Sequence, residues 1–286
     1  MVGPPQGVLR FWASQIAMKK TAILVDGGFF VRRFRSVYPD VNSHDPALVA
    51  DRLVKMCHGH LYPPPRRVGR QNPAAPQQQR PQAELYRIYV YDCPPLEKRL
   101  HTPLAKRAFN LATQPEAVFR KALHAELRKQ RKVALRLGRL DEKNGSWTLR
   151  PKVLEDLIKG RRVWADLTDD DFYYYARQKI VDMKIGLDIA VLAEKRLVDQ
   201  IVLVAGDSDF VPAAKHARRE GIDFLLDPMW NPIAPDLHEH IDGLRSTSPN
   251  PARRNAPREE EAPPEDAVDP APVLDAAGGE APPEEF

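Results

Sequence analysis

Ile201-Val-Leu-Val-Ala-Gly-Asp-Ser-Asp-Phe210 is the stretch of sequence that decides the fold. Its β-branched residues favour an extended chain, and an unbroken apolar run is typical of a strand buried on both faces of a parallel sheet. The run is followed by two carboxylates, Asp207 and Asp209. A second stretch of the same form, Thr21-Ala-Ile-Leu-Val-Asp-Gly-Gly28, ends in Asp26. Ligands of open α/β sheets bind at the carboxyl ends of the strands, so we expect these three acids to meet at one edge of a sheet.

Strand and helix patterns alternate along the chain with short connections, which predicts a doubly wound, mainly parallel α/β sheet. Glu84–Asp92 is a further predicted strand, and Asp92 is a further acid at its end, although aspartate is common there for turn reasons alone. Two alternating runs, 132–140 and 146–150, are joined by Asp141-Glu-Lys-Asn-Gly. This spacing predicts an inserted antiparallel β-hairpin at the edge of the sheet.

The predicted domain spans residues 18–245, and the chain on either side of it has a different composition. We expect residues 1–17 to be a disordered N-terminal extension. Residues 63–81 are rich in Pro, Gln and Arg and are predicted to be a mobile surface insertion. Residues 246–286 are rich in Pro, Ala and Glu and are predicted to be a disordered acidic tail, because they cannot bury enough apolar surface to order themselves.

The charge of the chain is uneven, and this bears on its partners. The formal net charge is +4, but residues 246–286 contain three arginines and ten acids, so residues 1–245 carry an excess of +11. A basic body favours a polyanionic partner, although only weakly. Cys57 and Cys93 lie in unrelated contexts, which predicts reduced thiols in a cytoplasmic protein. No apolar run approaches the roughly 18 residues of a membrane span, so no membrane association is expected.

The middle of the chain supplies two more acids, Asp182 and Asp188, near the start of a predicted helix. Either could face the strand ends, and the sequence does not decide which is the principal one. Several carboxylates packed together require a counter-charge, and Mg²⁺ or Mn²⁺ prefers such hard oxygen ligands. The chemistry that fits is metal-assisted hydrolysis of a phosphodiester.

Three stretches together resemble the NYN domain family, which has the PIN-like ribonuclease fold. They are Leu24-Val-Asp-Gly-Gly-Phe, Gln178-Lys-Ile-Val-Asp-Met-Lys-Ile-Gly-Leu-Asp-Ile-Ala190 and Leu203-Val-Ala-Gly-Asp-Ser-Asp-Phe-Val-Pro212. The resemblance covers roughly residues 20–245 and implies a metal-dependent ribonuclease. It implies metal-binding and catalytic roles for Asp26, Asp182, Asp207 and Asp209, and a further metal ligand at Asp188.

RNA is the partner expected from this resemblance, and the basic side chains Arg32, Arg33, Arg35 and Lys184 are predicted to contact its phosphates. A solvated basic helix face is the alternative interpretation of these residues. Two other functions stay open: a non-catalytic RNA-binding scaffold, and a metal-dependent phosphohydrolase for small phosphate esters. An aspartyl-phosphate enzyme would need a second acid where this chain has Gly28. The sequence does not reveal RNA preference, endo- or exonucleolytic mode, or whether the protein forms a homo-oligomer.

Overall fold

The structure, a computed structural model, describes residues 18–64, 80–141 and 143–254. The predicted N-terminal extension, nearly all of the predicted insertion and the tail from residue 255 lie outside these ranges. The chain divides into two units, Met1–Pro251 and Ala252–Phe286, and the fold described below belongs to the first unit. This unit extends past the predicted domain end at 245: Thr247 Oγ1 donates a hydrogen bond to the Met56 carbonyl at 2.8 Å.

The described strands are β1 (Lys19–Asp26), β2 (Ala83–Asp92), β3 (Arg99–His101), β4 (Ala108–Asn110), β5 (Val133–Leu137), β6 (Arg139–Leu140), β7 (Ser146–Leu149), β8 (Phe172–Tyr175), β9 (Gln178–Lys179), β10 (Gln200–Val204), β11 (Asp223–Asp227) and β12 (Gly243–Leu244).

The described α-helices are α1 (Gly27–Val37), α2 (Pro46–Gly59), α3 (Pro115–Lys129), α4 (Pro151–Ile158), α5 (Val181–Glu194), α6 (Val211–Arg219), α7 (Pro235–Glu239) and α8 (Pro251–Arg254). Short 3₁₀ helices occupy Leu111–Thr113, Trp164–Asp166, Asp169–Asp171 and Ser208–Phe210. Within the described ranges, no helix has the length and apolar character needed to cross a membrane.

Six strands form one sheet in the order β12-β11-β10-β1-β2-β5, and every neighbouring pair is parallel. The chain builds outward from β1 through β2 to β5, and then returns to the other side of β1 with β10, β11 and β12. The direction of winding therefore reverses between β1 and β10, where Val25 pairs with Val204. Such a switch point leaves a crevice at the carboxyl ends of the two strands. The predicted doubly wound α/β fold is confirmed.

Helices cover both faces of the sheet, because successive strand residues point to opposite sides. Ile23 and Val25 of β1 pack with α1, α2 and α3 on one face. Ala22 and Leu24 pack with α5, α6 and α7 on the other face. All four side chains are fully buried, which accounts for the unbroken apolar run in the sequence.

The antiparallel elaboration differs from the predicted hairpin. β7 pairs with β8, in the register Ser146 to Tyr175 and Leu149 to Phe172, and not with the run that precedes it. That preceding run divides in two: β5 adds to the parallel sheet beside β2, and β6 pairs with β9. The prediction of the strands was correct, but their hairpin pairing was wrong, because β7 finds a longer partner in the tyrosine-rich strand from a distant part of the chain.

Candidate active site

Asp26 is the last residue of β1 and the N-cap of α1. Its Oδ1 accepts a hydrogen bond from the Phe29 amide at 3.0 Å, which satisfies one of the unpaired N–H groups of the first helical turn. Gly27 follows with no room for a side chain: a Cβ there would lie 2.7 Å from the Tyr91 carbonyl oxygen. The chain therefore turns directly from strand to helix and holds Asp26 at the switch point.

Asp207 and Asp209 follow β10 on the other side of the switch point. Asp207 Oδ1 accepts a hydrogen bond from the Asp209 amide at 3.1 Å and caps the 3₁₀ helix Ser208–Phe210. Both acids are exposed, whereas Phe210 is buried and anchors the turn. Asp207 is therefore a capping residue, and the cap holds its carboxylate at the sheet edge.

Asp182 reaches the same edge from the first turn of α5. This helix leads directly into β10 and packs on the sheet, so it runs antiparallel to the strands and begins over their carboxyl ends. The contact of Lys184 Nζ with the Leu137 carbonyl at the end of β5, at 2.5 Å, fixes the start of the helix there. Asp182 itself is exposed.

Electrostatic coupling shows that these acids share one environment. Burial raises the pKa of Asp26, and the carboxylate of Asp182 raises it further, against the hydrogen bond from the Phe29 amide and the charge of Arg32, which lower it. Partial removal of its carboxyl group from water also raises the pKa of Asp182, followed by the charges of Asp207 and Asp209. We name this set the acid cluster: Asp26, Asp182, Asp207 and Asp209.

The acid cluster has the right donor chemistry for a hard divalent cation, because it offers carboxylate oxygens and no softer ligand. Within the described residues, no group of three or more His, Cys, Asp or Glu side chains is close enough to hold a metal ion by itself. Mg²⁺ sites characteristically combine one or two carboxylates with several waters and substrate phosphates, so an open cluster of this kind fits Mg²⁺ or Mn²⁺.

Asp188 has a different environment from the acid cluster. Its two oxygens accept hydrogen bonds from the Tyr91 hydroxyl at 2.7 Å and from Arg136 Nη2 at 2.9 Å. The guanidinium of Arg136 also lies over the Tyr89 ring, 5.5 Å from its centroid. Burial and the hydrogen bond to Asp188 both raise the pKa of Tyr91. Asp188 is thus engaged with β2 and β5, and Asp182 is the acid of this helix that lies beside Asp207 and Asp209.

Of the predicted RNA-binding residues, Arg32 lies close to Asp26 and its charge lowers the pKa of that carboxyl. Its Nη1 is 3.9 Å from the position that a Cβ on Gly28 would take, and Asp26 Oδ1 is 3.3 Å from that same point. Arg33 turns away and donates a hydrogen bond to the Met229 carbonyl at 2.8 Å. Arg35 is exposed on the same helix and lines a small cavity with Phe34. Lys184 is held by the Leu137 carbonyl, as described above.

Asp92 also lies at the carboxyl edge of the sheet but belongs to a buried ion pair. Arg120 Nη1 contacts its two oxygens at 2.7 and 2.8 Å, and His124 Nε2 lies 2.8 Å from Oδ2. Burial raises the pKa of Asp92, but the hydrogen bond with His124 and the charge of Arg120 outweigh it, so the pKa is lowered overall. The side chain holds α3 against β2.

Gln178 is a residue of this site that sequence reasoning missed. Its Oε1 lies 3.9 Å from the position of a Cβ on Gly28, the point that Asp26 Oδ1 also approaches. Gln178 is the first residue of the middle stretch that resembles the NYN family, and its place in that stretch was the available signal. It provides an amide group at the edge of the acid cluster.

Gly206 controls the position of the loop that carries Asp207, and its replacement gives a prediction. A Cβ at Gly206 would lie 2.6 Å from Cε2 of the buried Phe29 ring. We expect Gly206→Ala to lower the free energy of unfolding by about 1–3 kcal/mol, as overpacked substitutions do. Urea denaturation measures this. Gly186→Ala, in α5 with open space around the added methyl, is the matched control and should be neutral or stabilising. Equal stability of the two variants would contradict the expectation.

The protein is a parallel α/β protein with carboxylates at the switch point of its sheet, and a family model matches part of the chain. The family model of the NYN domain matches residues 149–232. The match includes Asp182, Asp207 and Asp209, and Asp26 lies outside it. Residues 149–232 therefore match the NYN domain, which supports the resemblance predicted from the motifs. NYN domains have a nuclease-like fold that is generally linked to RNA cleavage.

Two other comparisons add little. None of the curated proteins compared with this chain matches it. Among solved structures, the chain is similar to a protein of unknown function from Vibrio parahaemolyticus, with 16% sequence identity and a TM-score of 0.38. The similarity covers 80% of this chain and 93% of that chain. A likeness this distant carries no argument about function.

Proposed function

We propose that the protein is a Mg²⁺- or Mn²⁺-dependent ribonuclease that hydrolyses RNA phosphodiesters in the cytoplasm. The observation that carries the proposal is the acid cluster, in which three separate segments of the chain bring their carboxylates to the switch point of the sheet. Burial, and after it the charges of neighbouring acids, raises the pKa of Asp26 and of Asp182. Carboxylates that repel one another at a crevice favour the binding of a positively charged group there.

In this proposal the carboxylates of Asp26, Asp182, Asp207 and Asp209 hold the cation together with waters and the substrate phosphate. A bound Mg²⁺ or Mn²⁺ would lower the pKa of a water and stabilise the charge on the phosphate oxygens. Asp26 and Asp207 each have one oxygen fixed by a backbone amide, so their carboxylates are oriented before substrate arrives. Asp188 is left out of the ligand set because Arg136 and Tyr91 occupy its oxygens.

Arg32 is the basic residue that we assign to the RNA phosphate. Its guanidinium lies beside Asp26 and its side chain is exposed, so it can reach a phosphate held at the acid cluster. Arg33 and Lys184 donate to backbone carbonyls and are assigned structural roles. Arg35 is assigned only a general contribution to the basic surface.

The experiment that tests the proposal uses end-labelled single-stranded RNA with the wild-type protein and with Asp207→Asn, in Mn²⁺ or in EDTA. We expect cleavage only by the wild type in Mn²⁺, because the variant loses a ligand and EDTA removes the cation. Asp223→Asn is the matched control: Asp223 lies at the opposite end of the sheet, where it pairs with Lys19 at 2.8 Å. This control should cleave like the wild type.

Three outcomes would contradict the proposal, the first two its ribonuclease activity and the third its site. RNA binding in EDTA without cleavage under any condition would favour the non-catalytic scaffold. Hydrolysis of a generic aryl phosphate, with RNA left intact, would favour the small-substrate phosphohydrolase. Cleavage by Asp207→Asn at the wild-type rate would show that the nuclease activity arises elsewhere.

A further inference from the structure

A cavity of about 900 Å³ opens beside the acid cluster, at the end of β2. One side is formed by Asp92, Cys93 and the first turns of α3, and the other by the antiparallel pairs β3–β4 and β7–β8. Its volume falls in the range of sites for small organic groups. The residues that form it lie mainly outside the motifs that carry the NYN resemblance.

Aromatic side chains form one wall of this cavity. The rings of Phe109 and Trp147 meet edge to face with centroids 5.4 Å apart, and those of Trp147 and Tyr174 do so at 5.7 Å. Hydrogen bonds fix the rings: Trp147 Nε1 donates to the His101 carbonyl and the Tyr174 hydroxyl to the Gly145 carbonyl, each at 2.9 Å. All three rings remain partly accessible. Oriented rings of this kind bind a planar group with little loss of side-chain entropy.

The charged groups of the cavity balance one another. Arg120 is paired with Asp92, and Arg107 Nη2 with Asp169 at 3.1 Å. Arg150 donates from Nε to the Asp170 carbonyl at 2.8 Å. A phosphate would have to displace these partners, whereas an uncharged planar group would not. The chemistry of the cavity therefore suits a nucleobase better than a phosphate.

Gln178 joins the cavity to the acid cluster. It lines the cavity, and its Oε1 lies within about 7 Å of Asp26 Oδ1, since both atoms flank the same point beside Gly28. A nucleotide whose base occupied the cavity would have its phosphate near the acids. The side-chain amide of Gln178, with both donor and acceptor groups, stands where the edge of that base would pass.

We propose that this cavity holds one unpaired base of single-stranded RNA, next to the phosphodiester that is cleaved. The inference rests on the proposed ribonuclease function and names its substrate class. A base must leave a duplex to enter, so the cavity selects single-stranded or looped RNA, and stacking on an aromatic wall accepts more than one base.

Binding of RNA lacking one base tests the inference without altering the cavity. The protein carries Asp207→Asn to prevent cleavage, and the probes are a fluorescein-labelled single-stranded RNA and a series of the same RNA with one abasic position each, in Mn²⁺. Fluorescence anisotropy gives Kd for each probe. We expect a single position, beside the cleavage site mapped with the wild type, at which loss of the base raises Kd by about 5- to 100-fold.

Substitution of Trp147 then assigns the effect to the cavity. In Trp147→Ala the penalty at the sensitive position should disappear, because base and ring no longer interact, and in Trp147→Phe much of it should remain. Trp164→Ala is the matched control, since Trp164 is 66% exposed and lies outside the cavity lining. This control should keep the full penalty.

The results separate failure of this inference from failure of the proposed function. If the wild type cleaves RNA and all abasic probes bind with equal Kd, the proposed base-binding role of the cavity is wrong. The proposed ribonuclease function is then still supported. An abasic penalty that persists in Trp147→Ala would likewise place the base elsewhere. Absence of both RNA binding and RNA cleavage would overturn the ribonuclease proposal and, with it, this inference.

Discussion

Asp182→Asn is expected to reduce RNA cleavage by at least about 100-fold while leaving the folded protein as stable as the wild type or more stable. Loss of residues that merely orient metal ligands costs about 10–100-fold, so loss of a ligand should cost more. Stability should not fall, because the carboxylate of Asp182 is repelled by Asp207 and Asp209. Initial cleavage rates in Mn²⁺ and urea denaturation in EDTA measure the two effects.

Asp188→Asn is the matched control, because it makes the same change on the same helix. Asp188 contacts Arg136 and Tyr91, so its replacement should leave cleavage within a few-fold of the wild type. Comparable loss of cleavage in both variants would show that the two acids act together and would contradict the ligand set proposed above. Loss of stability in Asp182→Asn would instead assign that carboxylate a structural role.

Asp92→Asn is expected to lower the free energy of unfolding by about 3–5 kcal/mol, the usual cost of breaking a buried ion pair. The side chain of Asp92 is 3% exposed, and that of Arg120 is 15% exposed, so the variant leaves a guanidinium with little water to replace its partner. Urea denaturation at neutral pH measures the loss. Asp51→Asn, which removes an exposed pair with Lys55, should cost less than about 1 kcal/mol. Equal costs would contradict the argument.

The same ion pair predicts how stability depends on pH. The pKa of Asp92 is lowered in the folded protein, so its contribution to stability is present above the ordinary carboxyl value of about 3.9 and is lost as pH falls through the folded value. Between neutral pH and acid, the wild type should therefore lose more stability than Asp92→Asn. If both proteins lost the same free energy of unfolding between neutral and acidic pH, the lowered pKa of Asp92 would be contradicted.

The strands and the edge acids could be predicted because local sequence determines them. The apolar runs before Asp26 and Asp207 are buried on both faces, and parallel pairing then places both acids at the same edge. The pairing of β7 could not be predicted from local sequence. The turn sequence indicates a local hairpin, whereas the strand that pairs with β7, Phe172–Tyr175, is distant in sequence. β7 pairs with this distant strand, β8, rather than in the local hairpin because that pairing is longer.

Sequence reasoning could in principle have decided whether Asp182 or Asp188 is the principal acid of the middle segment. Six residues of an α-helix correspond to a rotation of about 600°, which leaves the two side chains about 120° apart and on different faces of the helix. The structure agrees, with Asp182 at the acid cluster and Asp188 bonded to Tyr91. By contrast, the sequence around Asp92 did not indicate that Arg120 and His124 would bind its carboxylate, because long-range packing brings these residues together.

The capping hydrogen bonds of Asp26 and Asp207 affect whether an aspartate at these positions in a relative indicates catalytic activity. Each of these residues closes the start of a helix as well as facing the crevice, so a homologue that had lost catalysis would still gain from keeping an aspartate or asparagine there. Within the described part of the chain, Asp182 accepts no hydrogen bond, and the charges of Asp207 and Asp209 raise its pKa after burial. Under the proposed function, we therefore expect a homologue that lacks the acid at this one position to have lost catalysis.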